Sequence, residues 1–109
     1  MGNDALQGAL ELLVLKALSR AGREGMHGFG VAQHIQQVSE ELLRVEEGSL
    51  YPALHRMERQ GFIRAAWGRT ENGRRARYYR LTAQGRKRLE AEQPQWQRTA
   101  SAVAAFLEG

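Results

Sequence analysis

Two β-prone runs flank an Asn-Gly pair in the second half of this chain. The runs span residues 62–67 and 76–81, and Asn72-Gly73 lies between them. Asn-Gly favours the tight turns in which both central residues take positive φ, so the pattern predicts a β-hairpin. The chain has only 109 residues, which is room for one domain, or for one compact domain and a long terminal helix. The hairpin must therefore pack against whatever the rest of the chain forms.

The basic charge of the chain is concentrated in this hairpin. Residues 64–80 carry six arginines and one glutamate, a net charge of +5, whereas residues 1–63 have a net charge of −2 and residues 81–109 of +1. Arginine has a planar guanidinium that suits phosphate oxygens and narrow grooves. A solvated charged loop is the alternative explanation. The overall charge of +4 favours a polyanionic partner, such as nucleic acid or an anionic surface.

The first half of the chain has the periodicity of helices. Apolar residues recur every three to four positions through residues 5–20, which predicts an amphipathic helix. After a glycine-rich break, a shorter second helix is predicted to run to about Val38. Residues 40–47 fit a short helix end followed by a brief strand. Ser49 fits the N-cap of a third helix over residues 49–60, with Pro52 in its first turn and Gly61 just after its end.

A last helix is predicted to follow the hairpin. Thr82 is expected to cap it, and Leu89, Trp96 and Val103 follow a seven-residue repeat within it. Pro94 interrupts the helix, either as a kink or as the first residue of a separate C-terminal helix. Because a chain of this size leaves much of its surface exposed, the repeat predicts self-association.

The order of these elements predicts a mainly α fold with a small β-hairpin. Three small helices followed by a basic hairpin describe a winged helix-turn-helix, which we assign to residues 1–82. Residues 83–109 are then a C-terminal dimerisation helix. In this fold the hairpin is the wing, and residues 49–60 are the recognition helix.

Several segments are recognisable as strings. GSLYPALHRMERQG spans residues 48–61, the hairpin ends in RRARYYRLTAQG, and LELLVLKAL and HGFGVAQHI precede both. Together they resemble the PadR family of bacterial transcriptional regulators over about residues 6–90. The resemblance implies a winged helix-turn-helix that dimerises through its first and last helices and usually acts as a repressor in the cytoplasm.

The resemblance also implies a small effector, often aromatic or drug-like, whose binding releases the repressor. A tryptophan in the terminal helix lines the ligand pocket in some members, and Trp96 occupies a comparable place. Simple packing of Trp96 between two protomers is the alternative. A flat apolar pocket between two such rings suits a planar aromatic molecule. The predicted neighbours of Trp96 in this pocket are Leu6, Leu10, Ala100 and Val103.

A repressor of this kind has double-stranded DNA, with a pseudo-palindromic operator, as its partner. The predicted contacts of the recognition helix come from its first turn and outer face, where backbone amides and polar side chains reach phosphates and base edges: Ser49, Tyr51, His55 and Arg56. The predicted contacts of the wing, whose tip suits a narrow minor groove, are Arg69, Arg74, Arg75 and Arg77. The alternatives are that Ser49 only caps the helix and that Tyr51 packs against the wing. Trp67 is expected to cover the core.

Other functions find little support in the sequence. The absence of cysteine excludes disulfides, thiol catalysis and Cys-ligated metal sites. The three histidines lack a short ligand spacing, and His27 is expected to hydrogen-bond in a turn. Because the sequence has no nucleophile–base pair and no glycine-rich phosphate loop, we expect neither an enzyme nor a cofactor.

The sequence also bears on the location and partners of the protein. It has no secretion signal and no apolar run of about 18 to 20 residues, so an intracellular protein without a membrane span is expected. The alternative function is a winged-helix module that binds protein instead of DNA. The basic hairpin argues against that alternative.

Overall fold

The structure is a computed structural model that describes the backbone of residues 4–109 and the side chains from residue 9 onward. A short 3₁₀ turn, Gly22–Glu24, follows the first helix. The regular elements, in chain order, are α1 (Asp4–Ala21), β1 (Met26–His27), α2 (Gly28–Val38), α3 (Glu47–Arg59), β2 (Ile63–Arg69), β3 (Arg75–Leu81) and α4 (Ala83–Glu108).

The strands form a three-stranded antiparallel sheet with β3 in the centre, in the order β1-β3-β2. β2 and β3 form the predicted hairpin, in which Trp67 lies opposite Arg77. On the other edge of β3, Met26 pairs with Tyr79. The sequence did not predict β1, because two residues are too short to produce an alternating pattern.

The core is built around α1 and the inner face of α3. Val14 of α1 and Leu50, Leu54 and Met57 of α3 have no exposed surface, and Tyr79 of β3 is only 2% exposed. Complete burial of side chains of this size contributes about 1.5–3 kcal/mol each. These contacts fix how α3 is rotated about its axis, with Leu50, Leu54 and Met57 facing the core. The helices α2 and α3 with the β2–β3 hairpin confirm the winged helix-turn-helix fold.

The start of α3 differs from the prediction. Glu46 is the N-cap residue, and its carbonyl accepts the N–H groups of Ser49 at 3.0 Å and Leu50 at 2.9 Å. The predicted N-cap at Ser49 is therefore wrong, because Ser49 already lies inside the first turn. The expected brief strand is also wrong. The chain instead turns at Glu40 and Glu41, both of which have positive φ.

α4 is one helix that runs through Pro94, which excludes the alternative of a separate C-terminal helix. Pro94 is exposed, and the carbonyl that its missing N–H leaves free can be hydrated there. At the start of α4 the predicted cap is confirmed, because the N–H of Gly85 donates to Oγ1 of Thr82 at 3.0 Å. The hydroxyl of Thr82 in turn donates to the carbonyl of Gly61 at 2.7 Å.

The junction between α4 and the hairpin depends on the absence of a side chain at Gly85. A Cβ built there would lie 2.0 Å from the carbonyl oxygen of Phe62 and 2.8 Å from Cδ1 of Leu81. By contrast, a Cβ built on Gly48 in α3 meets nothing within 4 Å. The same substitution at these two helical glycines therefore has opposite consequences.

We expect Gly85→Ala to lower the free energy of unfolding by about 2–4 kcal/mol, because the backbone of β2 must move away from α4. Gly48→Ala is the matched control and should raise it by about 0.5–1 kcal/mol, through helix propensity alone. Urea denaturation at one protein concentration measures both values. Equal stability of the two variants would contradict the close packing at this junction.

Candidate functional site

Helix α3 exposes the face opposite its buried side chains. Successive residues of an α-helix are rotated by about 100°, so Pro52, His55 and Arg59 lie opposite Leu50 and Met57. All three are exposed. The centre of this face thus presents an imidazole and a guanidinium, groups that hydrogen-bond to base edges and phosphates.

Two of the predicted contact residues, Ser49 and Arg56, lie on a flank of α3 rather than at the centre of its exposed face. They are seven residues apart and therefore share one side of the helix. Arg56 donates to Oε2 of Glu11 in α1 through both Nε and Nη2, each at 3.1 Å. The guanidinium of Arg56 is thus paired with a carboxylate of α1.

Tyr51 lies on the flank of α3 that faces α2 and the wing, next to His55 of the exposed face. Tyr51 packs closely on the first residue of α2, because a Cβ built on Gly28 would lie 2.7 Å from the Tyr51 hydroxyl oxygen. A glycine at this position allows α2 and α3 to approach each other. His55 is exposed beside Tyr51, so both side chains are accessible from the same direction.

His27 caps α2 on this side of the molecule. Its Nδ1 accepts the N–H of Gly30 at 3.1 Å, and its ring lies edge-on to Tyr78 at 5.5 Å. Because Nδ1 is the acceptor, Nε2 carries the proton of the neutral ring. The expected hydrogen-bonding role of His27 is confirmed. Among the side chains from residue 9 onward, no three His, Asp or Glu groups meet as a metal site.

The tip of the wing is closed by hydrogen bonds within residues 69–74. Thr70 N–H donates to the Arg74 carbonyl at 2.9 Å, and Gly73 takes a φ of 79°. Arg69 folds back, and its Nη1 donates to the carbonyl of Gly73 at 2.8 Å. Arg69 is therefore engaged with the turn, whereas Arg74 projects from the tip as an exposed side chain.

Further down the wing, Arg75 and Arg77 lie on either side of Trp67. Their Cζ atoms are 4.5 Å and 5.9 Å from the centre of the indole ring. Arg77 also donates from Nη2 to Oε2 of Glu58 in α3 at 2.9 Å. The expectation that Trp67 covers the core is wrong, since its side chain is 61% exposed. It lies on the core-facing side of β2 but beyond the edge of the core.

Tyr79 attaches the base of this hairpin to the core. Burial raises the pKa of its phenol, against the opposing effect of the charge on Arg77. The phenol is therefore neutral at physiological pH, and the ring serves as a packing group. Tyr78, the residue before it, lies on the other face, where its hydroxyl donates to the Arg69 carbonyl at 3.0 Å.

An open groove of about 900 Å³ separates the wing from α2 and α3. Residues of α2, of α3 and of the wing line this groove, among them Gln33 of α2. Of the predicted contact residues, those that line it are Tyr51, His55, Arg74, Arg75 and Arg77. Ser49, Arg56 and Arg69 do not line it.

Two residues at this surface were not predicted to belong to it. Arg59 follows His55 by four residues, and this helical spacing was the available signal. Trp67 was assigned to the core because a large aromatic residue after a β-prone run is usually buried. The ring of Trp67 is exposed beside the groove because this part of β2 extends beyond the core. Sequence alone does not show how far β2 extends.

A second, smaller groove of about 400 Å³ lies between α1 and α4 and is lined by Trp96 together with Leu12 and Leu15. Three of the predicted neighbours of Trp96 do not line this groove. Leu10 is part of the core cluster, and Ala100 and Val103 are exposed further along α4. The side chain of Leu6 lies outside the described residues.

The exposed face of α4 is apolar. Trp96 is 44% exposed, Val103 53% and Leu107 77%, and with Ala100 they form a stripe of spacing four, three and four. No helix within residues 4–109 is long and apolar enough to span a bilayer.

Comparison with known proteins places the chain in a family. Residues 14–91 match the family described as the transcriptional regulator PadR-like family. A transcriptional regulator of Mycobacterium tuberculosis is 39% identical over 75 residues, which cover 69% of this chain and 66% of that protein.

Solved structures agree with this assignment. A transcriptional regulator from Clostridium thermocellum superimposes with a TM-score of 0.82 at 27% identity, covering 95% of this chain and 98% of that one. A PadR-like transcriptional regulator from Bacillus cereus has a TM-score of 0.81, also at 27% identity, covering 98% and 99%. The resemblance that residues 48–61 and 74–85 indicated is thus confirmed, and it extends over residues 14–91. The chain belongs to the PadR-like family of transcriptional regulators.

Proposed function

We propose that the protein is a homodimeric repressor that binds double-stranded DNA through α3 and the wing. The observation that carries the proposal is that Tyr51 and His55 of α3 line the same open groove as three arginines of the wing. A helix fits the major groove, and a cationic hairpin fits the adjacent minor groove. The sugar-phosphate strand between these two grooves would then lie in the space between α3 and the wing.

The side chains divide into two kinds of contact. His55, Arg59 and Tyr51 occupy the part of α3 from which base edges are read. Arg74 and Arg75 supply positive charge to phosphates and to the minor groove. Ser49 and Arg56 lie towards α1, so Arg56 reaches DNA only when it leaves Glu11.

Dimerisation is proposed to use the apolar stripe of α4, with residues 83–109 as the dimerisation helix. Pairing two such stripes about a two-fold axis buries the exposed Trp96, Val103 and Leu107. Two recognition helices can then enter successive major grooves about 34 Å apart, which requires a pseudo-palindromic operator.

The groove between α1 and α4 is proposed to take a small planar aromatic effector beside Trp96. Glu11 supports a connection to DNA binding, because it lines this groove and its carboxylate holds Arg56 of α3. An effector that displaces Glu11 changes the contacts of α3 directly. An effector that separates α1 from α4 also changes the spacing of the two wings.

The wing is tested by replacing Arg74 and Arg75 together with Ala. The probe is a duplex of about 30 base pairs that the wild-type protein enriches from a random library, here called the selected duplex, and a scrambled duplex of equal length is the comparison. Because a bound dimer carries two wings, the change removes four phosphate contacts. It should weaken binding to both duplexes and reduce the slope of log affinity against log salt by about 3.6. Fluorescence anisotropy over a range of salt concentrations measures the slope.

The control for this change is Lys87→Ala with Arg98→Ala, which removes the same charge from α4. It should leave the slope almost unchanged. A double wing variant that binds both duplexes like the wild type would exclude the wing as a DNA contact. A wild-type protein that enriches no duplex would support the protein-interaction module instead of the repressor.

The dimer is tested by Val103→Glu, which places two carboxylates together at the two-fold interface. We expect light scattering to report a halved mass and the selected duplex to be bound at least about tenfold more weakly, because the two half-sites no longer act together. Ser101→Glu, on the opposite side of α4, should remain dimeric. A dimeric Val103→Glu protein would exclude this stripe as the interface.

The effector site is tested in a Trp67→Phe background, in which Trp96 is the only tryptophan. In this background planar aromatic compounds should quench the emission of Trp96. By linkage, the same compounds should release the selected duplex from the wild-type protein, which keeps Trp67 in the wing. Glu11→Gln should keep the quenching but show less release. If no compound of an aromatic panel changes the emission, an effector at this groove is contradicted.

A further inference from the structure

Glu58 and Arg77 join the recognition helix to the wing. Arg77 donates from Nη2 to Oε2 of Glu58 at 2.9 Å, and the two side chains are only 39% and 31% exposed. Among the ion pairs of residues 9–109, this is the one that connects α3 with the hairpin. Glu58 lies in the last turn of α3, and Arg77 lies in the middle of β3.

The connection extends from Arg77 to the exposed part of the wing. Trp67 lies directly opposite Arg77 in the sheet register, and its ring centre is 5.9 Å from Cζ of Arg77. Cζ of Arg75 is 4.5 Å from the same ring. Because Glu58 neutralises Arg77, Arg75 can remain beside Trp67 with less repulsion between the two guanidinium groups.

The environment of Arg77 does not suit a direct contact with DNA. Its Nε is buried and has no hydrogen-bond partner among the described residues, and its Nη2 is bonded to a carboxylate. A phosphate would have to compete with Glu58 and would meet the negative charge of that residue. Arg74 and Arg75 carry no such partner in the structure described here.

We propose that Arg77 is a positioning residue which, with Glu58 and Trp67, holds the wing at a fixed distance from α3. This inference rests on the proposed DNA-binding function. Recognition of one DNA sequence requires α3 and the wing to enter neighbouring grooves together, so a wing that is already fixed loses less entropy on binding. Non-specific binding is mainly a sum of phosphate contacts and does not require this fixed distance.

For Glu58→Gln, the positioning role and simple electrostatics predict opposite changes in affinity for the selected duplex. Glu58→Gln removes a negative charge beside the DNA surface, so electrostatics alone predicts tighter binding. Loss of the fixed distance predicts binding to the selected duplex that is weaker by about tenfold, with little change for the scrambled duplex. The matched control is Glu71→Gln at the exposed tip of the wing, which makes the same charge change and should strengthen binding to both duplexes.

Arg77→Met gives an independent result, because it keeps most of the aliphatic stem and removes the guanidinium. It should weaken binding to the selected duplex while leaving the salt slope unchanged, whereas Arg75→Ala should reduce the slope by about 1.8, because each of the two wings loses one phosphate contact. The double variant Glu58→Gln, Arg77→Met should bind the selected duplex no more weakly than Arg77→Met alone, because each substitution breaks the same ion pair. Thermal unfolding of each variant verifies that it is folded.

Hydrogen exchange measures the connection without DNA. Amides of residues 68–77 should exchange faster in Glu58→Gln and Arg77→Met than in the wild type or in Glu71→Gln.

The outcomes separate this proposal from the proposed function. If the wild type binds the selected duplex but Glu58→Gln binds it equally well or better, or if Arg77→Met lowers the salt slope by about 1.8, the positioning role is overturned and the repressor remains. Unchanged hydrogen exchange in the wing overturns it as well. A wild-type protein that prefers no duplex overturns the proposed function.

Discussion

The burial of Tyr79 determines the placement of nearly every side chain at the candidate site. β3 is the central strand, and Tyr79 is its fully buried residue, paired with Met26 on one side and Ala65 on the other. Side chains alternate between the two faces of a strand, so a slip of one residue would expose this ring and move every neighbour to the other face. The register fixed by Tyr79 therefore places Arg77 where it reaches Glu58.

The same alternation divides a block of charge that looks uniform in the sequence. Arg64 and Arg80 face each other across β2 and β3 on the side of the sheet away from α3. Arg75 and Arg77 lie on the side towards α3, but Arg77 is neutralised by Glu58. Net charge per segment predicts that a polyanion is bound, yet it does not predict which arginines are available, because pairing depends on residues far apart in the chain.

Much of the fold follows from the sequence because its signals are local. The hairpin around Asn72-Gly73, the periodicity of α1 and the cap at Thr82 depend on neighbouring residues, and the structure confirms all three, although only Gly73 of the Asn-Gly pair takes positive φ. The first turn of α3 was misplaced, because Ser49 is a good N-cap by composition while Glu46 occupies the position through backbone geometry alone. The expectation that Trp67 covers the core failed because the exposure of this ring depends on where the core ends. Short segments of sequence do not contain that information.

Two ion pairs hold α3 on opposite flanks. Glu11 of α1 holds Arg56 on one flank, and Glu58 of α3 is bonded to Arg77 of the wing on the other. Glu11 also lines the groove beside Trp96, so a change in that groove reaches α3 through a single side chain. In the proposed effector mechanism α3 would move as a rigid helix with a buried inner face, so displacement of Glu11 on the α1 side would also shift Glu58 at the end of the helix. An effector between α1 and α4 would thus act on the wing without any contact between the two grooves.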